Sequence, residues 1–142
     1  MNDLLSEYTF DEIKLNQEKI FHILVTEEMI NNFGKLSGDL NPLHMDENYA
    51  KNTNFGRRVC HGMLLTSFFS QLVGMYIPGK NALYLSQSVN FVSPCFIGDN
   101  ITIHGKVIDK SNSTKIITIA TNIFNDQSKN LVSGIAKVVV RV

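Results

Sequence analysis

The sequence lacks several features that would point to a nucleic acid or a membrane as partner. Lys and Arg total 13 and Asp and Glu also total 13, so the formal net charge is zero, and no segment concentrates charge of one sign. A chain without a basic patch is poorly suited to bind nucleic acid or an anionic membrane surface. No apolar run approaches the roughly 20 residues that a membrane-spanning helix needs. We therefore expect neither kind of partner.

Cysteine is also scarce, with Cys60 and Cys95 as the two thiols of the chain. Their spacing fits no zinc motif, and two cysteines are too few for a disulfide scaffold. We expect both to be small buried side chains in a reducing compartment. The segment Met1–Glu12 has no apolar stretch of the kind found in a signal peptide. These observations together predict a cytoplasmic protein.

The length and the order of the predicted elements indicate one domain, residues 1–142, of the α+β class. A chain of 142 residues is long enough to bury a substantial core as a single unit. The first half favours an extended segment or hairpin within 13–25, a helix capped by Thr26 that stops at Ser37–Gly38, and a short helix capped by Asp46. The second half is β in character, so helices precede a run of strands.

The strands of the second half are predicted from their alternation and their polar connections. They cover residues 83–91, 101–108, 116–124 and 131–141. In the first of them, Leu83, Leu85, Gln87, Val89 and Phe91 share the face that we expect to be half-buried. The later connections are polar and of hairpin length, which predicts an antiparallel meander.

The segment His61–Ile77 is predicted to be a buried helix. Its apolar residues cover nearly the whole helical circumference, and no charge occurs between Met63 and Ile77. Thr66, Ser70 and Gly74 lie at i, i+4 and i+8 and form a narrow stripe of small and hydroxyl residues. Either a ligand approaches this stripe, or the stripe packs closely against the sheet with its hydroxyls bonded to the preceding turn.

Acid–base groups are concentrated in the segment Ser37–His44, which reads SGDLNPLH. It holds the Asp39 carboxylate, the Asn41 carboxamide and the His44 imidazole, and Pro42 restricts its conformation. A carboxylate and an imidazole that share one water can transfer protons to and from a substrate. The same residue types also form ordinary turns, so the alternative is a plain connection between two helices.

Three motifs in order carry a family resemblance: SGDLNPLH at 37–44, VCHGML at 59–64, and NF at 90–91 followed by FIGD at 96–99. With these motifs the chain resembles the MaoC-like (R)-specific enoyl-CoA hydratases, from about Thr26 to the C-terminus. The resemblance implies a hot-dog fold, in which an antiparallel sheet wraps a long buried helix, usually in a homodimer. It also implies hydration of trans-2-enoyl thioesters, or dehydration of (R)-3-hydroxyacyl thioesters, without a metal or redox cofactor.

The resemblance assigns roles to individual residues by matching position. It implies that Asp39 and His44 are the catalytic pair, that the Gly62 amide donates to the thioester oxygen, and that Ser70 is a hydroxyl of the substrate site. Asn41 either orients the pair or the water, or bonds its own loop before Pro42. The acid and the base are not distinguished, because the two groups titrate as a coupled pair around one water.

Three functions follow from this pattern and are kept as alternatives. The first is a hydratase acting on thioesters of coenzyme A or acyl carrier protein. The second is an acyl-CoA thioesterase of the same fold, and the third is a catalytically inert acyl-binding subunit. The presence of both Asp39 and His44 argues against the third, and the complete motif favours the first over the second.

Four further residues receive provisional interpretations. Arg57, Arg58 and Lys80 could contact carrier phosphates, although exposed and solvated charges are the simpler interpretation. His61 is interpreted as a structural residue that shapes the turn into the long helix.

Overall fold

The structure is a computed structural model that describes residues 4–142, and its main feature is one antiparallel sheet. The strands are β1 (Glu18–Leu24), β2 (Ala82–Phe91), β3 (Asn100–Ser111), β4 (Ile116–Phe124) and β5 (Asn130–Val140). Their order across the sheet is β1-β3-β4-β5-β2. The predicted meander is therefore confirmed for β3, β4 and β5. The strand β2 pairs with β5 and forms one edge of the sheet, while β1 forms the other.

Two helices begin where the capping signals predicted, and a further short helix, Pro42–Met45, lies within the segment that was predicted as a polar loop. The helices are α1 (Glu27–Ser37), α2 (Pro42–Met45), α3 (Glu47–Lys51) and α4 (Gly62–Gln71), which continues into a π-helical turn, Leu72–Tyr76. The Thr26 side chain accepts a hydrogen bond from the Met29 amide, and Gly38 ends α1 in the left-handed conformation at φ 78°. The Asp46 side chain caps α3 through the Tyr49 amide. The early extended segment is the single strand β1.

The helix α4 packs with one face against the sheet, so the prediction of a helix buried all round is wrong. Leu64, Leu65 and Phe69 are buried, and the following π-helical turn buries Leu72 and Val73. The opposite face is exposed at Met63, Ser67, Ser70 and Gly74. The physical reason is that one sheet covers only one side of a helix, and the described part of the chain places nothing over the other side.

The prediction of which face of β2 is buried is also wrong, because the strand contains a bulge. The pairing with β5 shifts between Tyr84 and Ser86 and leaves Leu85 without a partner in the register. The extra residue reverses the alternation of side chains. Leu83 and Leu85 are consequently 52% and 50% exposed, and Gln87 beyond the bulge is partly buried.

The core that supports the site lies between α4 and the sheet. Ile30 of α1, Phe69 of α4 and Ile103 of β3 belong to this cluster of buried side chains. Cys60 and Cys95 are buried in the same cluster, as predicted. None of the helices formed by residues 4–142 is long and apolar enough to cross a membrane.

Candidate functional site

A cavity of about 360 Å³ opens at the N-terminus of α4. This volume lies within the usual range of small-molecule sites. Asp39, His44, His61 and Gly62 all contribute to its lining. The apolar part of the wall includes Leu65, Phe91, Val92, Leu131 and Val132. The cavity therefore combines a few polar groups with an apolar wall.

The loop after α1 orients the Asp39 carboxylate. The Ser37 hydroxyl accepts a hydrogen bond from the Asp39 amide at 3.1 Å. The Oδ1 atom of Asp39 accepts from the Asn41 amide at 3.2 Å, which is an Asx turn. The other oxygen, Oδ2, lies 3.9 Å from Nε2 of His44. One carboxylate oxygen is thus bound within the turn and the other faces the imidazole.

His44 lies on α2, where its ring is held in one orientation. Asn41 caps this short helix, since its Oδ1 accepts from the Leu43 amide at 3.0 Å. The Nδ1 atom of His44 lies 2.7 Å from the carbonyl oxygen of Val59. A carbonyl only accepts, so the neutral ring carries its proton on Nδ1 and presents the Nε2 lone pair towards Asp39. The 3.9 Å gap between Nε2 and Oδ2 is too long for a direct hydrogen bond and suits a bridging water.

Arg58 is buried, and its side chain holds the backbone of His44. It is 5% exposed, and its Nε donates to the His44 carbonyl at 2.6 Å. Its other nitrogens donate to Glu27 at 3.0 Å and to Asn31 at 2.6 Å, both on α1. The interpretation of Arg58 as an exposed charge is therefore wrong. The arginine joins α1 to α2, the short helix that carries His44.

Two other predicted cations remain at the surface. Arg57 is exposed and lies over the Phe96 ring, with its guanidinium carbon 3.9 Å from the ring centroid. Lys80 forms an ion pair with Glu7 at 2.8 Å. Neither residue is part of the cavity wall.

His61 belongs to the site, although it was interpreted from the sequence as a structural residue. Its ring centroid lies 4.1 Å from that of His44, with 31° between the ring planes. Its Nε2 lies 3.0 Å from the Asp39 carbonyl oxygen. Burial lowers the pKa of His61 below its ordinary value, against the opposing effect of this hydrogen bond. The ring is therefore neutral at pH 7.

Gly62 is the first residue of α4 and borders the cavity. The His61 side chain makes no capping bond to this helix, and the first amides of a helix have no partner within it. A Cβ atom at Gly62 would lie 2.6 Å from Cε1 of Phe91, so the Phe91 ring already excludes a side chain here. The glycine thus places no side chain beside the amide and makes room for the ring.

The two thiols line the cavity, and Cys95 is poorly suited to be a nucleophile. The Cys60 amide donates to the Cys95 carbonyl at 2.7 Å, and both residues border the cavity. A side-chain hydrogen bond with Cys60, together with burial, raises the pKa of Cys95. A thiol that stays protonated reacts slowly with a thioester.

One group of side chains has the residue types of a metal site. Potential ligand atoms of Asp39, His44 and His61 lie within 4.8 Å of one another. Imidazole lone pairs lie in the ring plane, however, and the two rings are stacked at 31°. Lone pairs of stacked rings run side by side instead of converging on one ion. The geometry favours ring stacking over chelation.

The structure brings three of the five predicted site residues to the cavity. Asp39, His44 and Gly62 line it, whereas Asn41 and Ser70 do not. Asn41 serves its own loop as the cap of α2. Ser70 is exposed on α4, so its predicted contact with substrate stays a prediction. Arg58 and His61 were missed, and the proximity of both to Gly62 in sequence is the signal that could have found them.

Known proteins of one family are similar to this chain. The sequence profile of the MaoC like domain matches residues 11–127. The chain is 43% identical over 106 residues to the (R)-specific enoyl-CoA hydratase of Aeromonas caviae, covering 75% of this chain and 79% of the relative. The corresponding enzyme of Rhodospirillum rubrum is 38% identical over 120 residues, covering 84% and 83%.

A solved structure confirms the hot-dog fold. The unliganded R-hydratase PhaJ1 from Pseudomonas aeruginosa superposes with a TM-score of 0.92 at 29% identity, covering 96% of this chain and 87% of that one. The three motifs, the Asp39–His44 cavity and these similarities agree. The chain belongs to the MaoC like domain family.

Proposed function

We propose that this chain hydrates trans-2-enoyl thioesters with (R) stereospecificity and catalyses the reverse dehydration of (R)-3-hydroxyacyl thioesters. The observation that carries the proposal is the pair formed by Asp39 Oδ2 and His44 Nε2, 3.9 Å apart at the cavity beside the start of α4. Two similar proteins bear the name (R)-specific enoyl-CoA hydratase, which supports the same reaction.

The proposed reaction adds one water across the double bond. A water between Asp39 and His44 delivers its hydroxyl to Cβ, and its proton passes to the pair. A proton returns from the pair to Cα, so the two groups end in their starting protonation states. Negative charge on the thioester oxygen is stabilised by the Gly62 amide, which lies at the positive end of the α4 dipole.

The proposed substrate is an acyl thioester, with either coenzyme A or acyl carrier protein as the carrier. The apolar wall formed by residues such as Leu65 and Val132 suits an acyl chain. Similar proteins include a coenzyme A enzyme and a mitochondrial 3-hydroxyacyl-[acyl-carrier-protein] dehydratase of Arabidopsis thaliana, 32% identical over 120 residues. Parallel assays with both carriers decide which one is used.

Incubation with crotonyl-CoA tests the reaction and its alternatives together. Hydration removes the enoyl absorbance without releasing thiol, and chiral analysis of the product should give the (R) isomer. Thiol release without this pattern would identify a thioesterase, because the water would have attacked the carbonyl carbon. No change in either signal, with saturable binding of the thioester, would identify an inert acyl-binding subunit.

We also propose that two copies of this single-domain chain form a homodimer. The edge strand β2 exposes Leu83 and Leu85, and an unpaired apolar edge favours pairing with another strand. The start of α4 lies next to this strand, since Phe91 of β2 contacts Gly62. Ser70 is exposed on α4, and we keep it as a candidate substrate residue because a second copy is able to cover that face.

The proposed location is the cytoplasm. Cys60 and Cys95 are both free thiols and lie next to each other through a backbone hydrogen bond of 2.7 Å. Neighbouring thiols remain reduced most readily in the reducing environment of the cytosol. Localisation of the tagged protein in its host tests this proposal.

A further inference from the structure

His61 contacts both members of the Asp39–His44 pair. Its Nε2 lies 3.0 Å from the carbonyl oxygen of Asp39. Because a carbonyl only accepts, Nε2 carries the proton and donates it. This bond holds the backbone at the residue whose Oδ2 faces His44. A shift of this carbonyl would therefore change the position of the carboxylate.

The His61 ring also supports the ring of His44. The two centroids are 4.1 Å apart, and the Phe33 ring lies on His61 with centroids 5.0 Å apart at 60°. The hydrogen bond from Nδ1 of His44 to the Val59 carbonyl also holds this ring. The imidazole of His44 consequently has little freedom to rotate. Its Nε2 stays directed towards Asp39.

The second nitrogen of His61 has no visible structural use. His61 is 2% exposed, and its Nδ1 is buried without a hydrogen-bond partner among the described residues. A buried acceptor without a partner destabilises a folded protein. An apolar side chain would avoid this penalty and would fill the same space. The histidine therefore needs a reason beyond packing, and the bond from Nε2 to Asp39 provides one.

We infer that His61 is a positioning residue for the proposed hydration: its Nε2–H fixes the Asp39 backbone, while its ring packs against His44. The inference rests on the proposed function of the Asp39–His44 pair. His61 stays neutral, because burial lowers its pKa. A neutral ring supports the pair without placing a fixed positive charge beside the reacting water. His61 acts through its two neighbours and transfers no proton itself.

Two substitutions separate the hydrogen bond from the packing. His61→Gln keeps an N–H donor at the reach of Nε2, whereas His61→Phe keeps a ring against His44 and removes the donor. We expect His61→Gln to retain at least about a third of the wild-type kcat. We expect His61→Phe to lose about 10- to 100-fold in kcat with KM changed less than about threefold, because misplacement by about 1 Å has effects of this size. The melting temperature of His61→Phe should stay near that of the wild type, since removal of the buried unpaired Nδ1 offsets the lost hydrogen bond to Asp39.

Each result decides the role of His61. Wild-type kcat in His61→Phe would overturn the inference, as would equal losses in both variants. Activity losses that follow falling melting temperatures would also overturn it, because they would indicate a packing role alone. These outcomes differ from failure of the proposed function, which would show as an inactive wild-type protein.

A measurement independent of turnover completes the test. Nitrogen-15 NMR of histidine-labelled protein should show His61 as a neutral ring protonated on Nε2 at pH 7. In uniformly labelled protein, the backbone amide signals of Asp39 and Leu40 should be single and sharp in the wild type and in His61→Gln, and shifted or multiple in His61→Phe, because only His61→Phe lacks a donor to the Asp39 carbonyl. Unchanged Asp39 and Leu40 signals in His61→Phe would overturn the positioning role even if no substrate were turned over.

Discussion

At the scale of single residues, Asp39 uses its two carboxylate oxygens differently. Oδ1 accepts from the Asn41 amide and closes the turn, while Oδ2 faces Nε2 of His44. Substitution by asparagine could keep the turn, because the amide oxygen still accepts. It would remove the negative charge at the position that faces the water. The turn and the chemistry at this residue can therefore be tested separately.

We predict that Asp39→Asn and His44→Gln each lower kcat by about two to four orders of magnitude, the usual range for a positioned acid or base. Because both act on one water, the double variant should lose far less than the product of the single losses. The readout is the initial rate with crotonyl-CoA. Asp46→Asn is the matched control, since this carboxylate caps α3 outside the cavity. Multiplicative losses in the double variant would contradict a shared water.

The role of Gly62 can be separated from its contact with Phe91. We predict that Gly62→Ala lowers kcat/KM by about 10- to 100-fold, because a methyl group would stand at an amide that binds the oxyanion. The Phe91 ring would also be displaced. In the double variant Gly62→Ala with Phe91→Ala, the clash is absent but the methyl group remains. Kinetics should stay as slow as in Gly62→Ala, and recovery to the level of Phe91→Ala alone would show that only the clash mattered.

The pKa of His61 predicts how stability depends on pH. Burial lowers this pKa in the folded state, whereas the unfolded chain has the ordinary value of about 6.5. At a pH between these two pKa values, the unfolded chain binds the proton and the folded chain does not. Stability should therefore fall as the pH decreases below about 6.5. His61→Gln should show a smaller decrease in melting temperature from pH 7 to pH 5. Asp39, His44 and Arg58 surround this position in both proteins, so equal decreases would contradict the prediction.

At the scale of elements, α4 has two faces with different surroundings. Leu65 and Phe69 are buried against the core, whereas Ser70 is exposed. The sequence left open whether the small stripe contacts a ligand or the sheet. Within the described chain, neither Ser70 nor Gly74 of this stripe contacts the core. The consequence is that bulk added at Ser70 should leave the packing of one chain intact.

We predict that Ser70→Leu leaves the melting temperature nearly unchanged and lowers kcat or raises KM more strongly as the acyl chain lengthens. Added volume at a packed contact typically has an effect of about 1 to 3 kcal/mol, and here the contact would form only with substrate or a second copy. The measurement is kinetics on enoyl thioesters of increasing length. Lys35→Leu, on the exposed surface of α1, controls for an added surface leucine. Clear destabilisation with no length dependence would contradict this view.

At the scale of the whole molecule, the sheet has two edges of different character. The edge strand β2 contacts the start of α4 through Phe91 and Gly62, and β1 forms the opposite edge of the sheet. Exposed leucines occur on both edges: Leu83 on β2 and Leu24 on β1 are each 52% exposed. Equal exposure makes them a matched pair for a test of assembly.

We predict a homodimer at micromolar concentration that Leu83→Asp disrupts and Leu24→Asp does not. A charge on an edge strand opposes pairing with another strand, and the proposed interface lies along β2. Light scattering should give the mass of two chains for the wild type and for Leu24→Asp, and of one chain for Leu83→Asp. A monomeric wild type that remains active would contradict the proposed assembly.

Local signals in the sequence determined much of the fold. The caps Thr26 and Asp46 begin helices where predicted, because capping depends on residues three positions apart. The polar connections between the last three strands predicted the antiparallel meander correctly, because short links join strands that are neighbours in the sheet. The motif at 37–44 indicated that Asp39 and His44 belong together, and a turn of this length keeps them close.

Tertiary structure decided what depends on residues distant in sequence. The bulge in β2 follows from its pairing with β5, so the exposure of Leu83 and Leu85 was not visible in the strand itself. The apolar circumference of α4 could not reveal that one sheet covers one face only. Arg58 and His61 gained their roles because the fold brings 58–61 against 39–44. Contacts across such distances depend on how elements pack, and hydrophobic periodicity along one element carries no record of that.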